Sequence, residues 1–239
     1  MSCILNIETS TSVCSVALSM DGEVLFAKAS FDGPSHAALL GVFVEEALSV
    51  LKKKGKKALD AVAVSSGPGS YTGLRIGVSV AKGLCFGFGI PLIGIHTLDI
   101  MAATVNSKGD SQIVSITDDC LYCAMLDARR MEVYAAIYDA SLKPVRETRA
   151  DIVEVGTYAS YLEKGKVCFF GNGASKCKSV IPSPNAIFIE DIHPLAVNMI
   201  PLSEQAFAAG KFEDTAYFEP FYLKEFQATV AKNKVLLAR

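Results

Sequence analysis

AVSSGPGSYTGLRIGVSVAKGL, residues 63–84, carries a short apolar strand into a glycine-rich turn and then into a helix with a bare amino-terminal end. Such a junction can cradle phosphate, because the free N–H groups of a helix start favour anions. The details point elsewhere. Pro68 removes one of those donors, and no lysine follows Gly73, so the P-loop pattern fails. The spacing Gly67-x-Gly69-x-x-x-Gly73 also misses the dinucleotide fingerprint. These glycines are expected to serve close backbone packing at the start of a helix rather than a phosphate. Further along, Ser79, Gly83 and Gly87 form a ridge of small residues at i, i+4 and i+8. Interior glycines each cost a helix about 1 kcal/mol, so the ridge is expected to meet another helix.

Working outward, CILNIETS is an apolar run, and VCSVALSMDGEVLFAKAS alternates about Asp21-Gly22, a hairpin signal. A helix from about His36 to Lys54 follows, with Lys52, Lys53 and Lys54 at the carboxyl end where cations suit the helix dipole. After the strand DAVAVSS and a helix over Thr72–Phe86 come the strand IPLIGI and a helix beginning TLDIMAATV. The second half repeats the order. CLYCAMLDA and EVYAAIYDA form a hairpin, PVRETRADIV a third strand, Thr157–Leu162 a short helix, KVCFFG a strand, and ASKCKS a helix after a Gly-Asn-Gly turn. The expectation is an α/β protein of two lobes, residues 1–105 and 106–239, each a mixed sheet with helices on its faces. The segment TAYFEPFYLKEFQATVAKNKV is expected to pack back as a turn and a helix.

With 239 residues, 51% of them hydrophobic, the chain can bury a sizeable core. A formal net charge of −2 gives no global basic field for nucleic acid. No window approaches the roughly 18 apolar residues of a membrane helix, and the opening reads as a strand rather than a signal peptide. Seven scattered cysteines fit a reducing compartment, so the expected location is cytoplasmic.

The helix HAALLGVFVEEALSVL is apolar over more than half its circumference, whereas a helix on one sheet needs a stripe of about 100°. The surplus points to a second polypeptide. Glu8, Thr9 and Ser10 at the end of the first strand are the candidates for a weak nucleotide contact; the alternative is a polar strand end with a capped turn. Arg129 and Arg130 sit on a hairpin turn, where paired guanidiniums can grip a carboxylate or phosphate or can simply be solvated. No metal site is expected: His36, His96 and His193 are far apart, and Cys120-x-x-Cys123 lies in a strand whose i and i+3 positions face opposite ways. Ser66 and Ser70 have no evident base.

SSGPGSYTGLRIGVSVAKGL, LDARRMEVYAA and NIETSTSVCSVAL together resemble the TsaB family of bacterial tRNA threonylcarbamoyladenosine biosynthesis proteins. The resemblance is strong through residue 102 and again over 125–138, about half the chain. It implies the actin-like, sugar-kinase-like ATPase fold, with two RNase H-like lobes and mixed five-stranded sheets. It also implies a non-catalytic scaffold that pairs with the catalytic subunit TsaD, with TsaE across the junction, and forms a homodimer when alone. tRNA, modified at adenosine 37, would be contacted mainly through the complex, with no cofactor and no membrane. The partner surface is placed on the two helices, at Leu40, Phe43, Ala47, Ile76, Ser79, Val80 and Gly83. The catalytic relative carries a metal-binding His-x-x-x-His after the strand that IPLIGI matches; here His96 is followed by Ile100. Glu8 stands where the family often has Asp, and Met131 where Gly or Asn is common, so the hairpin turn is expected to differ locally. The alternatives are a stand-alone actin-fold ATPase or small-molecule kinase and, less well supported, a metallopeptidase.

Overall fold

The computed structural model describes residues 2–33, 35–55, 58–107 and 120–224. The first sheet has the order β3-β2-β1-β4-β5, built from β1 (Cys3–Glu8), β2 (Cys14–Met20), β3 (Glu23–Ser30), β4 (Ala61–Gly67) and β5 (Leu92–His96). β1, β2 and β3 pair antiparallel, while β1, β4 and β5 run parallel. The β2–β3 turn places Asp21 and Gly22 at left-handed φ, 51° and 82°, as a tight hairpin requires.

Every residue of β1 and β4 is buried. Continuous apolar runs of this kind belong to strands covered on both faces. One face carries α1 (His36–Lys53) and α2 (Tyr71–Phe88), whose Leu40, Phe43, Ala47, Val78 and Ala81 join Leu5, Ile7 and Val64 in one core. On the other face, Ile100 of α3 (Thr97–Ser107) meets Ile4, Ala63 and Ile93.

The second sheet has the order β10-β9-β6-β7-β8, from β6 (Leu121–Asp127), β7 (Glu132–Tyr138), β8 (Pro144–Ile152), β9 (Val167–Phe170) and β10 (Ala186–Ile189). Short helices α4 (Ala159–Leu162) and α5 (Ala174–Cys177) cover one face. The other face rests on α3, where Leu98, Met101 and Val105 pack against Ala124, Leu126 and Phe170. α3 is therefore shared by both sheets, and Tyr138 fastens it by donating its hydroxyl to Asp99 Oδ1 at 2.6 Å. The repeated strand order is that of two RNase H-like lobes in the actin-like, sugar-kinase-like fold. No described helix is long and apolar enough to cross a membrane.

Two elements lie outside the sequence reading. β10 is only four half-buried residues. The helix α6 (Ala196–Ala208) contains Pro201 in its interior, which local propensity alone counts against a helix. α6 packs on β1, β2 and β5, so the chain returns from the second sheet to cover the first. The final helix expected beyond residue 224 falls outside the described residues.

Gly83 lies on the exposed side of α2, and a Cβ added there meets none of the described residues within 4 Å. Gly83→Ala should therefore stabilise the chain, melted at a dilution where it is monomeric, by up to about 1 kcal/mol through helix propensity, a rise in Tm of roughly 2–4 °C. A drop in the melting temperature would mean that this face is already packed.

Candidate functional site

The glycine turn and the end of β1 are built against each other. An added Cβ at Gly69 would stand 2.4 Å from the Ser10 carbonyl oxygen, at Gly73 2.1 Å from that of Thr9, and at Gly77 2.2 Å from Thr9 Oγ1. Only glycine lets these backbones approach so closely. Hydrogen bonds hold the contact. Ser70 N donates to Ser10 O at 2.6 Å, and Thr9 Oγ1 donates to Gly73 O at 2.8 Å. Ser70 caps α2 by accepting from Gly73 N at 3.2 Å. Gly67, at φ 109°, is pressed by Phe221, whose N–H donates to Ser66 O at 2.6 Å. The turn is filled by the chain's own backbone, as a packing role requires.

That arrangement corrects the nucleotide-contact set. Glu8 and Thr9 are wholly buried behind the turn, and of the three only Ser10 lines the cleft between the lobes. Glu8 Oε1 accepts from Ser10 N at 2.5 Å, and Oε2 accepts no hydrogen bond among the described residues. Burial pushes this carboxyl up to about 7, although the Ser10 hydroxyl and N–H and the Ser65 hydroxyl favour the anion.

The cleft encloses ≈ 1080 Å³. Ser10, His36 and Thr72 line it from the first lobe, and Arg129, Arg130 and Asn172 from the second. The β6–β7 turn places left-handed φ on Arg129 (72°) and Arg130 (51°) and not on Met131, so glycine is not needed at Met131. Beside the turn, Lys176 pairs with Asp127, and Lys224 with Glu132.

The histidines stay apart. His96 is exposed, edge-on to Phe221 at 5.7 Å; His36 donates through Nε2 to Thr11 O at 2.7 Å; His193 meets Phe31 at 5.5 Å. Ile100, one helical turn beyond His96, is fully buried. Among the described residues, no group of three His, Cys, Asp or Glu could hold a metal. Cys120 and Cys123 do not act as a unit. Cys120 Sγ lies 2.9 Å from Cys168 Sγ across the sheet, while Cys123 is buried in the core on the α4 and α5 side.

The helical face needs the larger correction. Leu40, Phe43 and Ala47 are 1%, 4% and 0% exposed within this chain and face its own sheet. The surplus apolar arc of α1 is used internally: Leu39 and Leu48 of α1 and Ile76 and Val80 of α2 are half-buried against the same core. The open surface is the strip opposite, with Ala38, Gly41 and Val42 on α1 and Ser79, Gly83 and Gly87 on α2. At the carboxyl end of α2, Phe86 is 88% exposed. An apolar count along each helix passes over Val42 and Phe86. Their signal is an apolar side chain on the face left over once the burial stripe is satisfied.

A family model described as TsaD, tRNA N6-adenosine threonylcarbamoyltransferase, matches residues 33–232. The tRNA threonylcarbamoyladenosine biosynthesis protein TsaB of Escherichia coli K12 is 31% identical over 248 residues, spanning 92% of this chain and 94% of that protein. The TsaB of Buchnera aphidicola is 27% identical, over 86% of this chain and 93% of its own. Among solved structures, a Pseudomonas aeruginosa protein described as similar to peptidase YEAZ superposes with a TM-score of 0.79 at 26% identity. That superposition covers 94% of this chain and 100% of the other.

Proposed function

The chain belongs to the TsaB family of tRNA threonylcarbamoyladenosine biosynthesis proteins, and we propose that it is the non-catalytic scaffold of that synthesis. In this proposal it pairs with TsaD through α1 and α2, with TsaE across the junction, and with a second copy of itself when alone. tRNA is contacted mainly through the assembly.

The observation that carries the proposal is the strip of small and apolar residues along α1 and α2, ending at Phe86. Glycines at 83 and 87 leave room for another backbone, since none of the described residues lies within 4 Å of an added Cβ. Two helices meeting two partner helices can bury the ~1,000 Å² or more that a specific interface needs. The non-catalytic part rests on Ile100, a buried hydrocarbon where a second imidazole would be required for a ligand pair.

Gly83→Arg tests it. A long charged side chain at the point of closest approach opposes association by overlap and by desolvation. Capture of TsaD should weaken at least about tenfold, and the lone chain should turn monomeric by light scattering while staying folded. Lys53→Ala, at the exposed end of α1, is the control. If Gly83→Arg stays dimeric and still captures TsaD, the interface lies elsewhere. Modification of tRNA by this chain without TsaD would overturn the non-catalytic assignment.

A further inference from the structure

Cys120 and Cys168 are both free thiols, and their sulfurs stand 2.9 Å apart. That separation is within about 1 Å of a disulfide bond. The strands bring them together. Cys120 is the residue before β6, and Cys168 is the second residue of β9, which pairs parallel with β6 through Leu121↔Val167 and Tyr122↔Cys168. Cys85 and Cys177, by contrast, turn their thiols to carbonyl oxygens, of Pro91 at 3.4 Å and of Gly173 at 3.3 Å.

Two thiols that merely filled space would be alike, and these are not. The Cys168 thiol donates to Cys120 and, with the Lys166 ammonium nearby, holds the Cys120 thiol below its ordinary value against the pull of burial. Cys168 is pushed far up by the same contact and by burial. Cys120 is thus the readier nucleophile, because the thiolate is the reactive form, and Cys168 lies beside it to resolve the product. Both are buried, at 1% and 0% exposure, but they sit near the rim of the sheet. Lys166, two residues before Cys168, is exposed, and Tyr122, paired with Cys168, is half-buried. Strand ends open more readily than strand middles, so a molecule as small as a hydroperoxide needs only local fraying to enter.

We propose that Cys120 and Cys168 form an oxidation site, which a hydroperoxide closes to an intramolecular disulfide. The Cys120 sulfur attacks one peroxide oxygen, the O–O bond breaks, and hydroxide leaves to take up the proton that the Cys120 thiol released. The product is a sulfenic acid and one water. The Cys168 sulfur then attacks the sulfenic sulfur; the S–S bond forms, the S–O bond breaks, and hydroxide leaves with the Cys168 proton as a second water. The two sulfurs together give up two electrons, and the peroxide receives them. In a reducing compartment the pair rests as thiols, and a dithiol reductant restores it after oxidation. The bond fastens the start of β6, the middle strand of the second sheet, to its neighbour β9. The site is independent of the scaffold assignment and stands if that assignment fails.

The test treats the folded full chain with hydrogen peroxide, then unfolds it in urea with iodoacetamide and weighs it. The oxidised chain should carry two fewer alkylated thiols than the reduced one, and dithiothreitol should restore both. A peptide digest should show residues 120 and 168 joined. Cys120→Ala should abolish the loss. Cys168→Ala should halt oxidation at the Cys120 sulfenic acid, trapped as a single dimedone adduct. The oxidised parent should also melt higher, because the bond closes a loop between residues 48 apart in sequence. The proposal is overturned if peroxide leaves both thiols alkylatable, or if the bond joins other cysteines or two chains. It is overturned equally if the oxidised chain melts no higher than the reduced one, since the native strands would then not accommodate the bond.

Discussion

Gly73→Ala should lower the stability of the chain by about 3 kcal/mol, a fall in Tm of roughly 6–12 °C. The added methyl would stand 2.1 Å from the Thr9 carbonyl oxygen, a backbone atom that cannot swing aside. Thr9 directly follows β1, which pairs with β2 on one side and β4 on the other, and its own N–H is directed at Ser65 Oγ at 3.4 Å. Relief would need α2 to slide away from the sheet, breaking the Thr9–Gly73 and Ser70–Ser10 hydrogen bonds. Gly41→Ala, where the added carbon meets nothing, is the matched control. Melting of the two variants by circular dichroism decides the matter. A Gly73→Ala protein that melts with its parent would show that helix and strand end are not in contact.

The second large effect depends on pH. Glu8 titrates near 7 in the folded chain because burial penalises its anion, against 4.5 when unperturbed. Between those values the folded state holds a proton that the unfolded chain has released. Stability therefore falls as pH rises through this window and levels off above it. The loss by pH 8 is about 3 kcal/mol. Glu8→Gln, which has no charge to bury, should match its parent near pH 4.5 and exceed it by that amount at pH 8. Urea midpoints across the range measure the difference, and other titrating groups cancel because both proteins carry them. Parallel pH profiles for the two proteins would place the anion in a solvated site.

The sequence shows the elements more clearly than it shows their faces. Asp21-Gly22 identifies its hairpin because few residue pairs accept that turn, and the lysines ending α1 mark its stop. The doubled strand order follows from such local signals. Pro201 hides α6, whose stability comes from tertiary contact with β1 and β2 rather than from propensity. The apolar arc of α1 is visible, but whether a neighbouring helix or a partner covers it depends on where α2 lies. Periodicity alone thus sends Leu40, Phe43 and Ala47 outward to a partner, whereas they point in. Glu8 illustrates the same limit. Its identity can be read, but its enclosure behind Thr9 and Ser10 arises only once the glycine turn closes over the strand end.

α6 gives the molecule a form of internal custody. The first sheet is completed by residues from far along the chain, since Met199 and Ile200 settle against Ile4 and Ala17. Until the ribosome has delivered them, Ile4, Ala61 and Ile93 lack part of their cover. On this face only Ile100 of α3 shares that cluster with them from the segment that precedes the second sheet. The two lobes are alike in topology yet share this cover, so a lesion in α6 uncovers the core beneath β1 and β2.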